Sequence, residues 1–124
     1  MTTVADILKF MEAIAPRTMM MDWDNVGLLC GRRNAEVTKL LVALDPFEHV
    51  CKEAADWGAE LIVTHHPIIF QATKAVTDDT SIGRSILQLC RHGIAAINPT
   101  PIWIRLLAGS TMCWPGPWDY RISR

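Results

Sequence analysis

The chain has 124 residues, 50% of them hydrophobic and 20% charged, which fits one soluble globular domain or part of one. That balance excludes a disordered or collagen-like chain, and a formal charge of -1 offers no basic field to nucleic acid or an anionic membrane. The four cysteines form no Cys-x-x-Cys pair and are too sparse for a disulfide scaffold. No apolar run approaches the roughly 20 residues of a spanning helix, and Asp6 and Lys9 interrupt any signal core at the amino terminus. These features predict a cytoplasmic, reduced protein without a membrane segment.

Thr3 followed by Asp6 resembles a capping box that opens a first helix, with Val4, Ile7, Leu8, Met11 and Ile14 on one face and Pro16 as its stop. Asp22, Asp24, Asn25 and Gly27 make Met19 to Gly31 an ordered loop leading into a short strand. Lys39 to Leu44 is an apolar strand that ends at Asp45-Pro46, where Asp45 can cap a helix and Pro46 can take its first position. That helix runs to about Trp57, with Val50, Ala54 and Trp57 on one side and Gly58 as its stop.

Leu61 to Thr64 is the next strand. A third helix follows from about Ser81 to Arg91, with Ile82, Ile86 and Leu89 inward, and Ile94 to Ile97 is another strand. Strands separated by helices of this length predict an α/β fold, a largely parallel sheet built from βαβ crossovers. Cys30, Cys51 and Cys90 read as small buried hydrophobes. Beyond Asn98 the pattern ends. Residues 99–124 hold four of the seven prolines and three of the five tryptophans, in an alternation that gives neither a helical stripe nor a half-buried strand.

Thr64-His65-His66-Pro67 is the sharpest chemical signal. Open α/β sheets place ligand sites at the carboxyl ends of their strands, and neutral imidazoles are common ligands for divalent metals. Adjacent residues on a continuing strand point to opposite faces, so both rings reach one site only if the chain turns there. Otherwise they serve two metals, or are a pair of satisfied polar residues. Asp45 faces the same crevice from the neighbouring strand end, unless capping occupies it. His49 and His92 are lone helix residues, and the helix macrodipole explains His92. There is no phosphate loop, dinucleotide fingerprint or nucleophile elbow.

Trp23-Asp-Asn-Val-Gly-Leu28 with Gly31, then Val42-Ala-Leu-Asp45, then Thr64-His-His-Pro-Ile-Ile-Phe70 follow the order of a known family. Over Met1 to about Asn98 the chain resembles the NIF-three-like dinuclear-metal proteins, whose members carry the name GTP cyclohydrolase 1 type 2 homolog. The resemblance implies a mixed α/β fold, a toroidal homohexamer and two divalent metal ions per subunit (zinc, iron or manganese), with His65 and His66 as metal ligands. It also implies an aspartate from a His-Thr-Asn-Leu-Asp motif soon after the strand at Ile94 to Ile97, and a much later His-x-x-x-Glu stretch. Neither motif stands in this sequence, and Asp119 does not match the pattern.

The genetic code offers an explanation. Reading begins at the third base of each codon from Pro99 to Trp114. The last base for Trp103 and the first two for Ile104 then spell GAT, aspartate, and those for Met112 and Cys113 spell GTG, valine. With allowed choices at degenerate positions the shifted frame reads HTNLDSAAGGVNDVLA, which contains the missing motif. Residues 1–98 are therefore expected to be the amino-terminal part of a truncated NIF-three-like α/β domain, and 99–124 an out-of-frame tail. The alternative is a diverged short protein whose tail folds in its own way.

For function, the resemblance implies a metal-dependent hydrolase acting on a small molecule, with an incomplete site in this chain. The other classes are a non-catalytic metal-binding scaffold and a non-functional fragment. No residue identifies guanine, ribose or triphosphate recognition.

Overall fold

The computed structural model describes residues 1–99 and 119–123. The capping box forms. Helix α1 (Val4–Ile14) opens with the Asp6 N–H donating to Thr3 Oγ1 at 3.3 Å while the Thr3 N–H donates to the Asp6 carboxylate at 2.9 Å. Donation from the Thr3 side chain first, and from its backbone second, holds the Asp6 carboxyl below its ordinary value. Val4, Ile7, Leu8 and Met11 are buried, but Ile14 is 37% exposed, because the helix ends there and Ala15 turns inward instead.

After a 3-10 turn at Arg17–Met19 come β1 (Gly27–Cys30), β2 (Lys39–Ala43), α2 (Glu48–Trp57), β3 (Leu61–Thr64), α3 (Ser81–Arg91), β4 (Ala95–Asn98) and β5 (Asp119–Ile122). They form one sheet in the order β1-β4-β3-β2-β5. β2, β3 and β4 are parallel, joined by α2 and α3 as successive crossovers, and β1 runs antiparallel along β4. The fold is the expected mixed α/β arrangement with a largely parallel sheet.

Alternation along the central strands divides the core between two layers. Leu40, Leu61, Val63, Ala95 and Ile97 pack with α1, whereas Leu41, Ile62 and Ala96 pack with Val50, Cys51 and Ala54 of α2 and Ile86 and Leu89 of α3. With both faces covered, these strands need apolar residues at successive interior positions, which is why they read as continuous runs. On α3 the inward stripe is Gly83, Ser85, Ile86 and Leu89, so Ile82, expected inside, stays 50% exposed. Among the described residues no helix is long and apolar enough to cross a membrane.

Two departures matter below. The register between β1 and β4 shifts between Leu28 and Cys30, a bulge that leaves Leu28 against the α1 layer and sends both Leu29 and Cys30 towards the α2–α3 layer. In the region without readable period, β5 pairs in parallel with β2, closed by Asp119 N–H to Thr38 O and Ser123 N–H to Val42 O, both at 2.8 Å. Backbone groups alone make that pairing, so it needs no alternating pattern in the sequence.

Gly31 and Gly58 test how tightly these layers are packed. Both have positive φ, but a Cβ on Gly31 would lie 2.6 Å from the Ala95 Cα, whereas one on Gly58 would meet only the Lys39 Nζ at 3.9 Å. Gly58→Ala is expected to cost about 1 kcal/mol from the left-handed backbone alone. Gly31→Ala should cost at least ~2 kcal/mol more, because the backbone of β4 cannot yield. Urea unfolding of the two variants would reveal equal losses if the close approach is wrong.

Candidate functional site

β3 ends at Thr64, and the chain bends at His65 and His66 instead of continuing. Three hydrogen bonds make the bend. The Asn98 carboxamide, buried at the end of β4, donates to Thr64 O at 2.8 Å and to His65 O at 2.6 Å. The Thr64 hydroxyl donates to His66 O at 2.7 Å. The turn on which a shared site depends is therefore present, and the two imidazoles lie 4.8 Å apart between centroids at 43°.

Asp45, two residues past the end of β2, meets the His66 ring. Its Oδ1 lies 2.5 Å from His66 Nδ1. A carboxylate that accepts from Nδ1 leaves Nε2 with the lone pair whenever the ring is neutral. Asp45 is thus not the cap of α2; that position falls to Phe47, without a side-chain bond, and the helix starts at Glu48. A partner 21 residues away outcompetes the local role. His65 is half-buried, and burial first, then the neighbouring His66, holds its pKa below the ordinary 6.5.

Around the pair lies a cleft of about 410 Å³ lined by Trp23, Asp24, Asn25, His65, His66, Pro67, Phe70 and Asn98. The Asn25 carboxamide donates to Ile69 O at 2.6 Å, tying the loop before β1 to the segment after Pro67. Trp23 and Phe70 meet edge to face at 6.5 Å. His49 and His92 do not line the cleft, and His92 Nδ1 donates to Gln88 O at the end of α3.

Among the described residues no group of three or more His, Cys, Asp or Glu side chains is placed to hold one metal ion. The positions of the codon-shifted motif, 99–103, lie beyond the described residues except for Pro99. The residue that sequence reasoning missed is Asn98. Its signal is a polar side chain at the carboxyl end of an apolar strand, which gains meaning only once β4 is known to lie beside β3.

A His65 imidazole with a lowered pKa prefers the neutral form in the folded chain. Its contribution to stability is full above the unfolded value of 6.5 and is lost as pH falls through the lower folded value. Proton NMR titration should show the His65 ring protonating below 6.5; a midpoint above that value would mean that charge, not burial, governs the site.

Residues 2–99 match the family described as Duf34/NIF3 (NGG1p interacting factor 3). A Clostridium perfringens protein named GTP cyclohydrolase 1 type 2 homolog is 42% identical over 104 residues, covering 84% of this chain and 40% of its own length. A crystal structure of the Staphylococcus aureus protein SA1388 superposes with a TM-score of 0.75 at 35% identity, over 78% of this chain and 31% of that one. A Bacillus cereus protein related to NIF3 gives 0.74 at 34%, over 79% and 27%. The chain thus spans about two fifths of that curated relative's length. With residues 2–99 accounted for and the same fold in its relatives, the chain belongs to the Duf34/NIF3 family.

Proposed function

We propose that residues 1–98 supply the imidazole half of a dinuclear divalent-metal centre of a hydrolase related to the GTP cyclohydrolase 1 type 2 homologs. The observation that carries this reading is the Asp45–His66 contact at 2.5 Å beside His65. Carboxylates commonly hold a metal-ligating histidine in this way, fixing the tautomer and raising the basicity of the ligating nitrogen. The donor chemistry fits zinc, iron or manganese, but only in part, because zinc sites normally draw on at least three protein ligands.

A pair of divalent ions, when bound, lowers the pKa of a water and stabilises an oxyanion, which suits hydrolysis of a phosphate ester or opening of a purine ring. His65 and His66 serve as ligands in this reading, not as proton shuttles. Asp45 orients His66, Asn98 holds the bend, and the Trp23–Phe70 wall bounds the space beside them. Assembly into a ring-shaped homohexamer, a cytoplasmic location and a small-molecule substrate belong to the same proposal. With two imidazoles as its donors, this chain binds metal weakly and does not turn over.

Zinc titration against a chromophoric chelator tests the site. Asp45→Asn should weaken binding by roughly 10-fold or more, and His65→Ala should remove it. Two ions per chain retained through dialysis by the unmodified protein would refute the half-site reading. The tail is a separate matter: we propose that it is out of frame. Resequencing the coding DNA across the codons for Ile94 to Trp103 should find one base missing or extra. An unchanged frame would make the tail a genuine part of the product.

A further inference from the structure

Away from the histidine cleft, the fold brings together two thiols that stand 60 positions apart in the sequence. Cys30 Sγ, on β1, and Cys90 Sγ, on α3, lie 3.8 Å from each other. Neither is the buried hydrophobe that its apolar neighbours suggested: Cys30 is half-buried and Cys90 is exposed. Cys51 does fit that description, lying fully buried with its thiol donating to Pro46 O at 3.5 Å.

The pairing has a structural cause. Strict alternation from Leu28, which packs with the α1 layer, would put Cys30 on that same layer. The bulge between Leu28 and Cys30 turns Cys30 to the opposite layer, where α3 lies. A disulfide needs its sulfurs about 2.05 Å apart, so the two thiols must approach further to bond.

We propose that Cys30 and Cys90 are a redox-responsive pair that closes a disulfide between β1 and α3 on exposure to a low-molecular-weight disulfide. The exposed Cys90 thiolate attacks one sulfur of the oxidant. A mixed disulfide forms, the oxidant's own sulfur–sulfur bond breaks and its first thiolate leaves. Cys30 then gives up its proton and attacks the Cys90 sulfur, which forms the internal bond and expels the second thiolate. Two electrons pass from the protein to the oxidant, and the two protons lost by the cysteines protonate the leaving thiolates. Burial, and then the neighbouring Cys90, push the Cys30 thiol up to about 12, so Cys90 is the entry point and Cys30 the resolving thiol.

The bond would clamp a sheet edge. Among the described strands β1 pairs only with β4, and the Trp23–Asn25 wall of the cleft lies just ahead of it in the chain.

The test uses the full chain carrying Cys113→Ser, treated with oxidised glutathione, alkylated, digested without reductant and mapped by mass spectrometry. The expected product joins the Cys30 and Cys90 peptides, with loss of two hydrogens and full reversal by dithiothreitol. Oxidation should raise Tm by roughly 5–15 °C, since it closes a long loop. A further Cys30→Ser change should arrest the reaction as a glutathione adduct on Cys90. The mapping of the first chain decides the matter even if that variant does not fold. Free Cys30 and Cys90 thiols, a stable Cys90 adduct beside unreacted Cys30, or a bond to Cys51 would each overturn the proposal.

Discussion

A strand that ends in the interior leaves carbonyl oxygens that must find donors, because an unpaired buried acceptor costs about 1–3 kcal/mol. At the end of β3 these are Thr64 O and His65 O, and one carboxamide, that of Asn98, meets both. Together with the Thr64 hydroxyl bond to His66 O, that pair holds the bend. Without it His65 and His66 would continue the strand and point to opposite faces; with it their rings lie 4.8 Å apart. The strand order decides which residues can take part. Because β4, β3 and β2 are neighbours, Asn98, the histidines and Asp45 stand in one row at the carboxyl ends of adjacent strands. Each intervening strand would add about 4.8 Å, more than a hydrogen bond can bridge.

The elements legible in the sequence are those whose cause is local. The capping box at Thr3 lies within four residues, and the central strands are apolar along their interior positions because both faces are covered. Helical period finds the inward stripe but not its margins. Ile14 and Ile82 sit on the correct side of their helices and remain at the rim, where the neighbouring layer does not reach. What the sequence hides is pairing over distance. Asp45-Pro46 has the local form of a helix cap, and His66 takes the carboxylate instead. Asn98 shows locally only as a polar residue ending an apolar strand, and its partners are on the neighbouring strand. β5 joins the edge of β2 through backbone groups, which any sequence carries.

The edges of the sheet show how one irregularity can alter what a face presents. A single extra residue in β1 reverses the side to which Cys30 points, moving a thiol from the α1 layer to the flank of α3. Period-two reasoning from the sequence cannot detect this, since a bulge changes the count of residues without changing their composition. At the opposite edge β5 occupies hydrogen-bonding groups of β2. Beside it the Arg121 guanidinium sits 4.7 Å from the Trp57 ring centroid, and Ser123 Oγ donates to Glu53 at 2.6 Å. Those contacts tie α2 to the edge strand without calling on the apolar core.

The proposed division of the chain near Asn98 would also divide the physics of the site. Among the described residues, the groups that orient the imidazoles lie at or before that residue: the β2–β3 ladder, the Asp45 carboxylate, the Thr64 hydroxyl and the Asn98 amide. The resemblance assigns the remaining ligands, a carboxylate among them, to motifs beyond it. Neutral imidazoles provide nitrogen lone pairs but no charge to balance a divalent cation, and Asp45, bonded to the far side of the His66 ring, compensates only through that ring. In the proposed metal centre, orientation and charge neutralisation would thus come from different parts of the family's chain. Folding of the amino-terminal part can set the histidines in place before any metal is present. On the proposed reading, tight binding then waits for the carboxylates that the resemblance assigns to the later motifs.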